Sequence, residues 1–333
     1  MTALHVAAVL GWVGFGIFVA RRALHVANLS ESCKSIINGV PNTPRFDPFL
    51  RRVDQTAPLP SKFSLVVRAT IFGPLRLFVI WTLFLSAGLA AIACPTKYLL
   101  VVIQWIVHLL LRTLGVNVRH LGRRATGAEA PCLVTNHISA LDMLVLLARD
   151  VAYVGNAGAK DTPCLGRVVR AMDCIFVARD SPESRLLAKE MISERLISQH
   201  QSSGRTRLSQ LVVFPEGTTT NGHGLLQFRR GAFEACVPIQ PARIEYSNLQ
   251  CSMSLVNLLD LICIIISLPS SEITIHYLPV IVPTPGTSAD AIAETCRKAI
   301  ASCQGVYSKE NLTLFESGSH RDEHELAKLL RGS

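Results

Sequence analysis

Charged side chains are scarce in this sequence. Asp, Glu, Lys and Arg together make up 17% of its 333 residues, whereas an ordinary soluble domain carries about 25% charged residues. Hydrophobic residues reach 49%. A shortage of charge beside an excess of apolar residues is typical of proteins that contact lipid, so the composition predicts a lipid bilayer as one partner of the chain.

Regularly spaced cysteines are also missing. The ten cysteines form no C-x-x-C pair and no series of repeated spacings, so neither a disulfide framework nor a zinc site is expected, and we predict no metal. Free thiols are typical of proteins in the reducing cytosol.

The net charge of +9 suits an anionic leaflet or a polyphosphate ligand. An ordinary basic surface explains it equally well, and we expect no nucleic-acid partner.

Three apolar stretches lie near the amino terminus, at residues 3–20, 77–93 and 99–111. A spanning helix needs about 20 apolar residues, so the first two stretches just qualify and the third is too short alone. A signal peptide would carry basic residues before its apolar run and small residues after it. Residues 3–20 have neither feature and are followed by two arginines, so we predict an uncleaved anchor.

Only a short turn, Cys94-Pro95-Thr96-Lys97, separates the second apolar stretch from the third. Residues 77–111 are therefore predicted to form a hairpin, which either dips into one leaflet or crosses the bilayer as two close-packed spans. The sequence leaves both alternatives open. On this basis residues 1–112 form a membrane-anchoring region, residues 113–303 a folded domain and residues 304–333 a polar C-terminal tail.

From Gly115 onward, short β-branched runs alternate with stretches of helical period. This alternation predicts an α/β sheet with helices on its faces. The predicted strands are VNVRH, CLVTN, VAYVG, CIFVA, LVVFP, VPIQPARI and ITIHYLPVIV. The predicted helices cover residues 140–149, 163–171, 182–200, 225–236 and 288–303.

A further apolar stretch, residues 253–268, has Asp260 at its middle. A charge at the centre of a bilayer costs at least about 2.5–3.5 kcal/mol. This stretch is therefore predicted to be a buried or interfacial helix, and not a membrane span.

The stretch VTNHISALDM, residues 134–143, places two ionisable residues, His137 and Asp142, between apolar runs. Ser139 is the predicted N-cap of the next helix, with Asp142 in its first turn, where a carboxylate can accept free backbone N–H groups. Each residue alone has an ordinary explanation, as a core histidine and as a first-turn acid. Together they predict a dyad, because a carboxylate that accepts Nδ1–H leaves Nε2 as a base.

No G-x-S-x-G nucleophile elbow accompanies this pair. A His–Asp dyad without its own serine needs a hydroxyl on the substrate to deprotonate. In a membrane-associated chain, this absence favours acyl transfer to a lipid hydroxyl.

Residues 136–142, NHISALD, resemble the N-H-x-x-x-x-D motif of the glycerolipid acyltransferases, the 1-acylglycerol-3-phosphate acyltransferase superfamily. Further blocks follow in the order of that family. They are Lys160, Pro163 and Gly166 with IFVAR at 175–179, then FPEGT at 214–218, then VPIQP at 237–241. The resemblance covers about residues 115–285. The phrases FPEGTTTNGHGLLQFRRGAF and IFVARDSPESR are similar to those of lysophosphatidylcholine and lysophosphatidylethanolamine acyltransferases in particular.

This resemblance implies an α/β fold in which N-terminal membrane helices precede a mixed sheet flanked by helices, with residues 113–303 as the acyltransferase domain. It also implies His137 as the general base, Asp142 as its partner and Arg179 as a phosphate-binding residue. The other substrate-binding residues that it implies are Glu216, Gly217, Thr218, Thr219 and Pro238. Arg229 and Arg230 are either partners of CoA phosphates or part of a solvated face.

The implied reaction moves a fatty acyl group from acyl-CoA to the free hydroxyl of a lysophospholipid. Acyl-CoA is then a co-substrate, and no cofactor is expected. Two other reactions remain open, that of a 1-acylglycerol-3-phosphate acyltransferase making phosphatidic acid and that of a CoA-independent phospholipid transacylase. A lipid-binding membrane scaffold without chemistry is the alternative from another class.

The residues after FPEGT bear on the acceptor. Enzymes that use lysophosphatidic acid typically carry a basic residue there, which suits a dianionic monoester. This chain has the neutral residues Thr219, Thr220 and Asn221, which fit the phosphodiester of lysophosphatidylcholine or lysophosphatidylethanolamine. The sequence does not distinguish choline from ethanolamine.

We expect an integral membrane protein of the endoplasmic reticulum with its catalytic domain facing the cytosol, where acyl-CoA is made. Arginines at positions 21, 22, 119, 123 and 124 flank the apolar segments on that side, in keeping with the positive-inside rule. Nothing in the sequence indicates an oligomeric state.

Overall fold

The structure is a computed structural model that describes residues 3–39, 46–50, 61–148, 151–177, 182–202, 209–307, 311–316 and 318–332. Its helices are α1 Ala3–Gly39, α2 Lys62–Ala93, α3 Thr96–Thr113, α4 Leu141–Leu147, α5 Leu165–Ala171, α6 Pro182–Gln201, α7 Leu258–Ser267, α8 Ala289–Ser302 and α9 His320–Gly332. Its strands are β1 Val116–Leu121, β2 Cys132–Thr135, β3 Val151–Asn156, β4 Ile175–Val177, β5 Gln210–Val213, β6 Gly224–Leu225, β7 Ile239–Tyr246, β8 Ser271–Tyr277 and β9 Thr313–Leu314.

Seven strands form one sheet in the order β1-β8-β7-β2-β5-β3-β4. All neighbours are parallel except β7 and β8, which run antiparallel. Every residue of β2 is buried, because helices cover both faces and a strand covered on both faces is apolar throughout. The predicted mixed α/β sheet flanked by helices is therefore confirmed.

Among the described residues, three helices are long and apolar enough to cross a membrane, at residues 7–29, 62–93 and 96–113. They precede the sheet, as predicted. All three are longer than the apolar stretches in the sequence, because basic residues within a helix do not end it. Thus α1 continues past the anchor predicted at residues 3–20, and α2 begins well before residue 77, at Lys62, where the hydroxyl of Ser61 caps it.

The apolar helix α7 lies buried against α1 and α2. Asp260 in its first turn forms an ion pair of 3.0 Å with Arg22 of α1 and accepts a hydrogen bond from the side chain of Asn257, the N-cap. The charge in the middle of this apolar stretch thus joins α7 to α1, and the prediction of a buried helix in place of a span is confirmed.

Two arginines attach α2 to the rest of the protein. Arg76 of α2 donates to the carbonyl oxygens of Ile266 and Leu268, at 2.8 and 3.3 Å, where α7 ends. Arg167 of α5 donates to three carbonyl oxygens at the end of α2, at 2.7, 2.8 and 2.7 Å. The last carbonyls of a helix lack partners within it, so each guanidinium satisfies groups that would otherwise be unpaired. The uncharged part of α2 is held at both ends.

The helix predicted at residues 225–236 is wrong. Residues 224 and 225 form the short strand β6, which pairs with β9, and only a three-residue 3₁₀ turn, Arg230–Ala232, follows. Pairing with a distant strand fixes the backbone of β6 in an extended conformation, so a helix cannot begin there. The helices predicted at 140–149 and 163–171 are present but shorter, as α4 and α5.

The polar segment after residue 303 packs against the domain. Glu245 of β7 accepts hydrogen bonds from the backbone N–H groups of Val306 and Tyr307, at 2.7 and 3.0 Å. Further along, β9 pairs with β6, and α9 buries Leu326 completely beside Phe49. A few apolar residues are enough to dock α9, because the bonds to Glu245 and the pairing of β9 with β6 already attach the chain before it.

The contact between α5 and the end of α2 leads to a testable prediction. Arg167→Met leaves three carbonyl oxygens without their charged donor, so the free energy of unfolding should fall by about 1.5–3 kcal/mol. Thermal unfolding of the purified protein in detergent measures the change. Arg170→Met is the matched control on the same helix, since Arg170 is exposed and donates to one carbonyl only, that of Lys160. Equal losses in both variants would contradict the proposed role of Arg167.

Candidate active site

The site is built where β2 ends and the chain turns toward α4. The side chain of Asn136 is buried and pairs with the backbone of Ile244 in β7, donating to its carbonyl at 2.9 Å and accepting from its N–H at 2.7 Å. The side-chain amide of Asn136 therefore adds one more pair of hydrogen bonds between the β2 segment and β7, beyond the last residue of β2. This pairing fixes the first residue of the loop that carries His137.

Asp142 is the centre of the site. Its Oδ2 accepts the Nδ1–H of His137 at 2.9 Å, and it also accepts the backbone N–H groups of Ile138 and Ser139, at 2.7 and 2.9 Å. Its Oδ1 accepts the hydroxyl of Tyr246 at 2.5 Å. The Asp142 side chain has no exposed surface, and a buried carboxylate is stable only when it is hydrogen-bonded in this way.

The ring of His137 is held from two sides. Because the carboxylate accepts Nδ1–H, Nε2 is the nitrogen that carries no proton in the neutral form of the ring. One face of the ring stacks on Phe214, with 4.1 Å between the ring centroids. The side chain is 18% exposed, so a substrate can reach it. The loop thus presents one oriented imidazole at the carboxyl end of β2.

The start of α4 differs by one residue from the prediction. Ala140 is the N-cap and the helix begins at Leu141, so Ser139 lies just outside it. Ser139 still has a capping function, because its hydroxyl accepts the N–H of Leu141 at 3.4 Å. Asp142 lies in the first turn of α4, as the sequence indicated, and from there its side chain reaches His137.

Tyr246 is the residue of this site that sequence reasoning missed. It lies at the end of β7, 104 positions beyond Asp142, and only the pairing of β7 with β2 brings the two residues together. Burial, followed by the charge of Asp142, raises the pKa of Tyr246 well above its ordinary value. The phenol therefore stays protonated and remains a hydrogen-bond donor to Asp142.

Glu216 of the FPEGT sequence is hydrogen-bonded to the backbone of the loop that carries His137. Its Oε1 accepts the backbone N–H of His137 and its Oε2 that of Leu226, both at 2.9 Å. It is 3% exposed, and burial raises the pKa of its carboxyl to about 8 although both N–H donors act to lower it. The structure shows Glu216 positioning the loop through these two bonds, and its predicted contact with substrate stays a prediction.

The remaining residues of this block lie around Glu216. Gly217 has a φ of 73°, and a Cβ there would lie 2.6 Å from the guanidinium carbon of Arg229, so no larger residue fits without a shift. Thr220 donates its N–H to the carbonyl of His137 at 2.8 Å. Thr218 and Thr219 are half-buried and line a cavity of about 410 Å³, which places them where a ligand can reach them.

One predicted binding residue, Pro238, is not brought to this site. Pro238 precedes β7, whose first residue, Ile239, lies opposite Cys132 at the start of β2, so Pro238 lies at the other end of the sheet from His137. Arg179 lies outside the residues that the structure describes, and its phosphate-binding role stays a prediction. Within the described ranges, no group of three or more His, Cys, Asp or Glu side chains is placed to hold a metal ion.

The arginines after this block have separate positions. Arg229 is exposed and packs on Gly217, beside the loop that carries the FPEGT sequence. Arg230 forms ion pairs with Glu234, at 3.7 Å, and with Asp290, at 3.5 Å. These contacts fit the alternative in which Arg230 belongs to a solvated face.

Comparison with known proteins bears on this geometry. The acyltransferase family model matches residues 117–245, a range that contains both members of the dyad and the FPEGT sequence. The chain is 33% identical over 209 residues to lysophospholipid acyltransferase LPCAT4 of Homo sapiens, which covers 60% of this chain and 38% of that protein. It is 30% identical over 198 residues to lysophospholipid acyltransferase LPEAT2 of Arabidopsis thaliana, covering 57% and 35%.

Two further proteins match. A lysophosphatidylcholine acyltransferase of Drosophila melanogaster is 33% identical over 193 residues, covering 56% of this chain and 35% of that one. The chain thus spans less than two-fifths of the length of these relatives. Among solved structures, the 1-acyl-sn-glycerophosphate acyltransferase PlsC of Thermotoga maritima is 15% identical with a TM-score of 0.47, covering 84% of this chain and 94% of that chain.

Over its sheet domain the chain is similar to the glycerolipid acyltransferase superfamily. The matched domain and the relatives at about 30% identity support this assignment together, and the family resemblance predicted from the sequence blocks is confirmed. Within the superfamily, the chain is similar to the lysophosphatidylcholine and lysophosphatidylethanolamine group.

The two bonds of Glu216 lead to a prediction. In Glu216→Gln, one side-chain oxygen can still accept a backbone N–H, but the other N–H faces an NH₂ donor. The free energy of unfolding should fall by about 1–3 kcal/mol, measured by chemical denaturation in detergent. Glu234→Gln is the control, because that carboxylate is exposed and should change stability by less than about 0.5 kcal/mol. An unchanged midpoint for Glu216→Gln would show that the two bonds do not hold the loop.

Proposed function

We propose that this chain transfers a fatty acyl group from acyl-CoA to the free hydroxyl of a lysophospholipid, with His137 as general base. The observation that carries the proposal is the 2.9 Å contact between Nδ1 of His137 and the buried carboxylate of Asp142. It leaves Nε2 as a base on a partly exposed ring. The names of the relatives, lysophospholipid and lysophosphatidylcholine acyltransferases, support the acceptor class.

The proposed reaction needs no covalent enzyme intermediate. Nε2 of His137 takes the proton of the acceptor hydroxyl, and the hydroxyl oxygen attacks the thioester carbonyl of acyl-CoA. The tetrahedral intermediate collapses, the carbon–sulfur bond breaks, and the imidazolium returns the proton to the CoA thiolate. Asp142 stabilises the imidazolium between these two steps. General-base catalysis of this kind contributes about 10²–10⁴ in rate.

The acceptor headgroup is proposed from the residues that face the cavity. Thr220 is buried and its N–H is bound to the carbonyl of His137, which leaves Thr218 and Thr219 to meet a ligand. Both are neutral hydroxyl residues, which suit the single charge of a phosphodiester better than the two charges of lysophosphatidic acid. Lysophosphatidylcholine and lysophosphatidylethanolamine are therefore the proposed acceptors, with the predicted phosphate contact of Arg179 beside them.

The hairpin of α2 and α3 is proposed to lie in one leaflet. Residues 76 and 94 are bound to α7 and α5 of the same domain, about 27 Å apart along the helix at 1.5 Å per residue. A spanning helix separates its ends by the hydrocarbon core of about 30 Å, so a domain on one side cannot hold both ends. The exposed side chains of the hairpin include Phe78, Trp81, Phe84, Leu89, Trp105 and Leu109.

This position would let a lysophospholipid reach the site by moving within the leaflet. The proposed location is the cytosolic side of the endoplasmic reticulum, where acyl-CoA is available. The described part of the chain contains no disulfide, which is consistent with a reducing compartment.

Activity measurements test the proposal. Purified protein in lipid nanodiscs is incubated with labelled acyl-CoA and a panel of lysolipids that includes lysophosphatidic acid. We expect transfer to the choline and ethanolamine lysolipids, none without acyl-CoA, and none by His137→Ala. Transfer without acyl-CoA would indicate the transacylase, and a higher kcat/KM for lysophosphatidic acid would overturn the headgroup assignment. A tenth or more of normal turnover in His137→Ala would contradict the base.

The variant Tyr246→Phe tests whether Tyr246 orients the dyad or contributes to substrate binding. Loss of the hydroxyl leaves one oxygen of Asp142 without a donor, so kcat should fall about tenfold while KM for both substrates stays unchanged. Tyr277→Phe is the control, because its hydroxyl meets His120 away from the dyad. A rise in KM without a change in kcat would assign Tyr246 to binding.

The position of the hairpin is tested by labelling in sealed microsomes. Thr96→Cys places a thiol at the exposed turn between α2 and α3, and Cys236 is an exposed thiol of the domain. A membrane-impermeant maleimide should label both from the same side, as read by mass spectrometry of peptides. Labelling of the turn only after the membrane is permeabilised, with Cys236 labelled before, would mean that α2 crosses the bilayer.

A further inference from the structure

A cavity of about 410 Å³ lies beside the FPEGT loop, a volume within the range of small-molecule sites, roughly 300–1,000 Å³. Its walls come from α1, Thr218 and Thr219, residues 253–257, the start of α7, and α9. Part of the wall thus belongs to the C-terminal segment, outside the family-matched residues 117–245.

Residues at the cavity are joined by hydrogen bonds to the loop that carries the dyad. The loop of Thr218 and Thr219 continues to Thr220, whose N–H binds the carbonyl of His137 at 2.8 Å. On another side, Met253 of the cavity wall donates its N–H to the carbonyl of Ile138, the next residue of the dyad loop, at 2.9 Å. A ligand that fills the cavity therefore contacts segments bonded directly to the catalytic loop.

The wall of the cavity carries two acidic side chains. Asp260 and Glu323 line the space, and among the described lining residues there is no lysine or arginine. Arg22 pairs with Asp260 from α1 without lining the cavity itself. Glu323 is fixed in place, because its Oε1 accepts the N–H of Leu255 at 3.1 Å. The other wall residues include apolar side chains such as Leu255 and two histidines, His25 and His324.

This combination suits a cation that carries alkyl groups. A carboxylate attracts positive charge more strongly in a partly enclosed space than in water, and apolar walls accept methylene and methyl groups. Two neutral hydroxyl residues on the side toward His137 suit the oxygens of a phosphodiester. The acidic and the hydroxyl side chains of the cavity wall thus match the ammonium and the phosphodiester of a phosphocholine or phosphoethanolamine group.

We propose that the cavity binds the headgroup of the acceptor, with Glu323 of α9 contacting its ammonium group. The inference rests on the proposed function and deepens it, since it assigns headgroup specificity to a residue of the C-terminal segment. Thr218 and Thr219 meet the phosphodiester, and the glycerol hydroxyl then lies toward Nε2 of His137.

The test removes one charge and keeps the fold. In Glu323→Gln, the amide oxygen still accepts the N–H of Leu255, so α9 stays docked. We expect kcat/KM for lysophosphatidylcholine and lysophosphatidylethanolamine to fall about fivefold through KM, the effect of one partly exposed ion pair. Lysophosphatidylglycerol, whose headgroup is uncharged beyond the phosphodiester, should be unaffected. Glu325→Gln, exposed on the same helix and outside the cavity wall, should change nothing.

A binding measurement without acyl-CoA separates this inference from the proposed function. The dissociation constant of monomeric hexanoyl lysophosphatidylcholine should rise about fivefold in Glu323→Gln and stay constant in Glu325→Gln. If binding follows Glu323 but no acyl transfer occurs, the site stands and the proposed reaction fails. If transfer occurs but Glu323→Gln affects all three lysolipids equally, or none, the headgroup site is overturned and the reaction stands.

Discussion

The buried carboxylate of Asp142 is the constraint on which the site depends. It is removed from water and carries a charge, a state that costs several kcal/mol unless donors surround it. Its donors come from the loop that follows β2 and from Tyr246 on β7. Moving either element leaves this charge unsatisfied. Asn136 and Glu216 work in the same way, since each forms two hydrogen bonds to backbone groups of other segments. The imidazole is oriented by polar side chains that hold the backbone around it.

The same principle joins the membrane helices to this framework. Arg76 and Arg167 use charged donors to satisfy the carbonyl groups at helix ends, and Arg22 pairs with Asp260 on α7. Apolar helices alone could slide along one another, because their contacts are non-directional. Directional bonds at both ends of the uncharged part of α2 fix its position relative to α5 and α7. In this arrangement the acceptor would be presented to His137 from the leaflet.

Much of this arrangement is predictable from the sequence where the signal is local. The strands are β-branched runs, and His137 and Asp142 share one motif, so both were found. The contacts that were missed join segments far apart. Tyr246 is brought in only by strand pairing, and two-residue strands such as β6 have no period to detect, so a helix was wrongly predicted at 225–236. Pro238 belongs to a family block, but strand register places it at the far end of the sheet. Docking of α9 depends on a few apolar residues such as Leu326 in a polar stretch.

The central claim is that Asp142 holds His137 with its proton on Nδ1 and Nε2 free to act as a base. Heteronuclear NMR of the ring nitrogens measures this directly in protein labelled at histidine, with the His137 signals assigned as those that vanish in His137→Gln. The account predicts a protonated Nδ1 and an unprotonated Nε2 in the neutral ring, and a loss of that preference in Asp142→Asn. A proton on Nε2 in the wild-type protein, or a tautomer unchanged by Asp142→Asn, would contradict it.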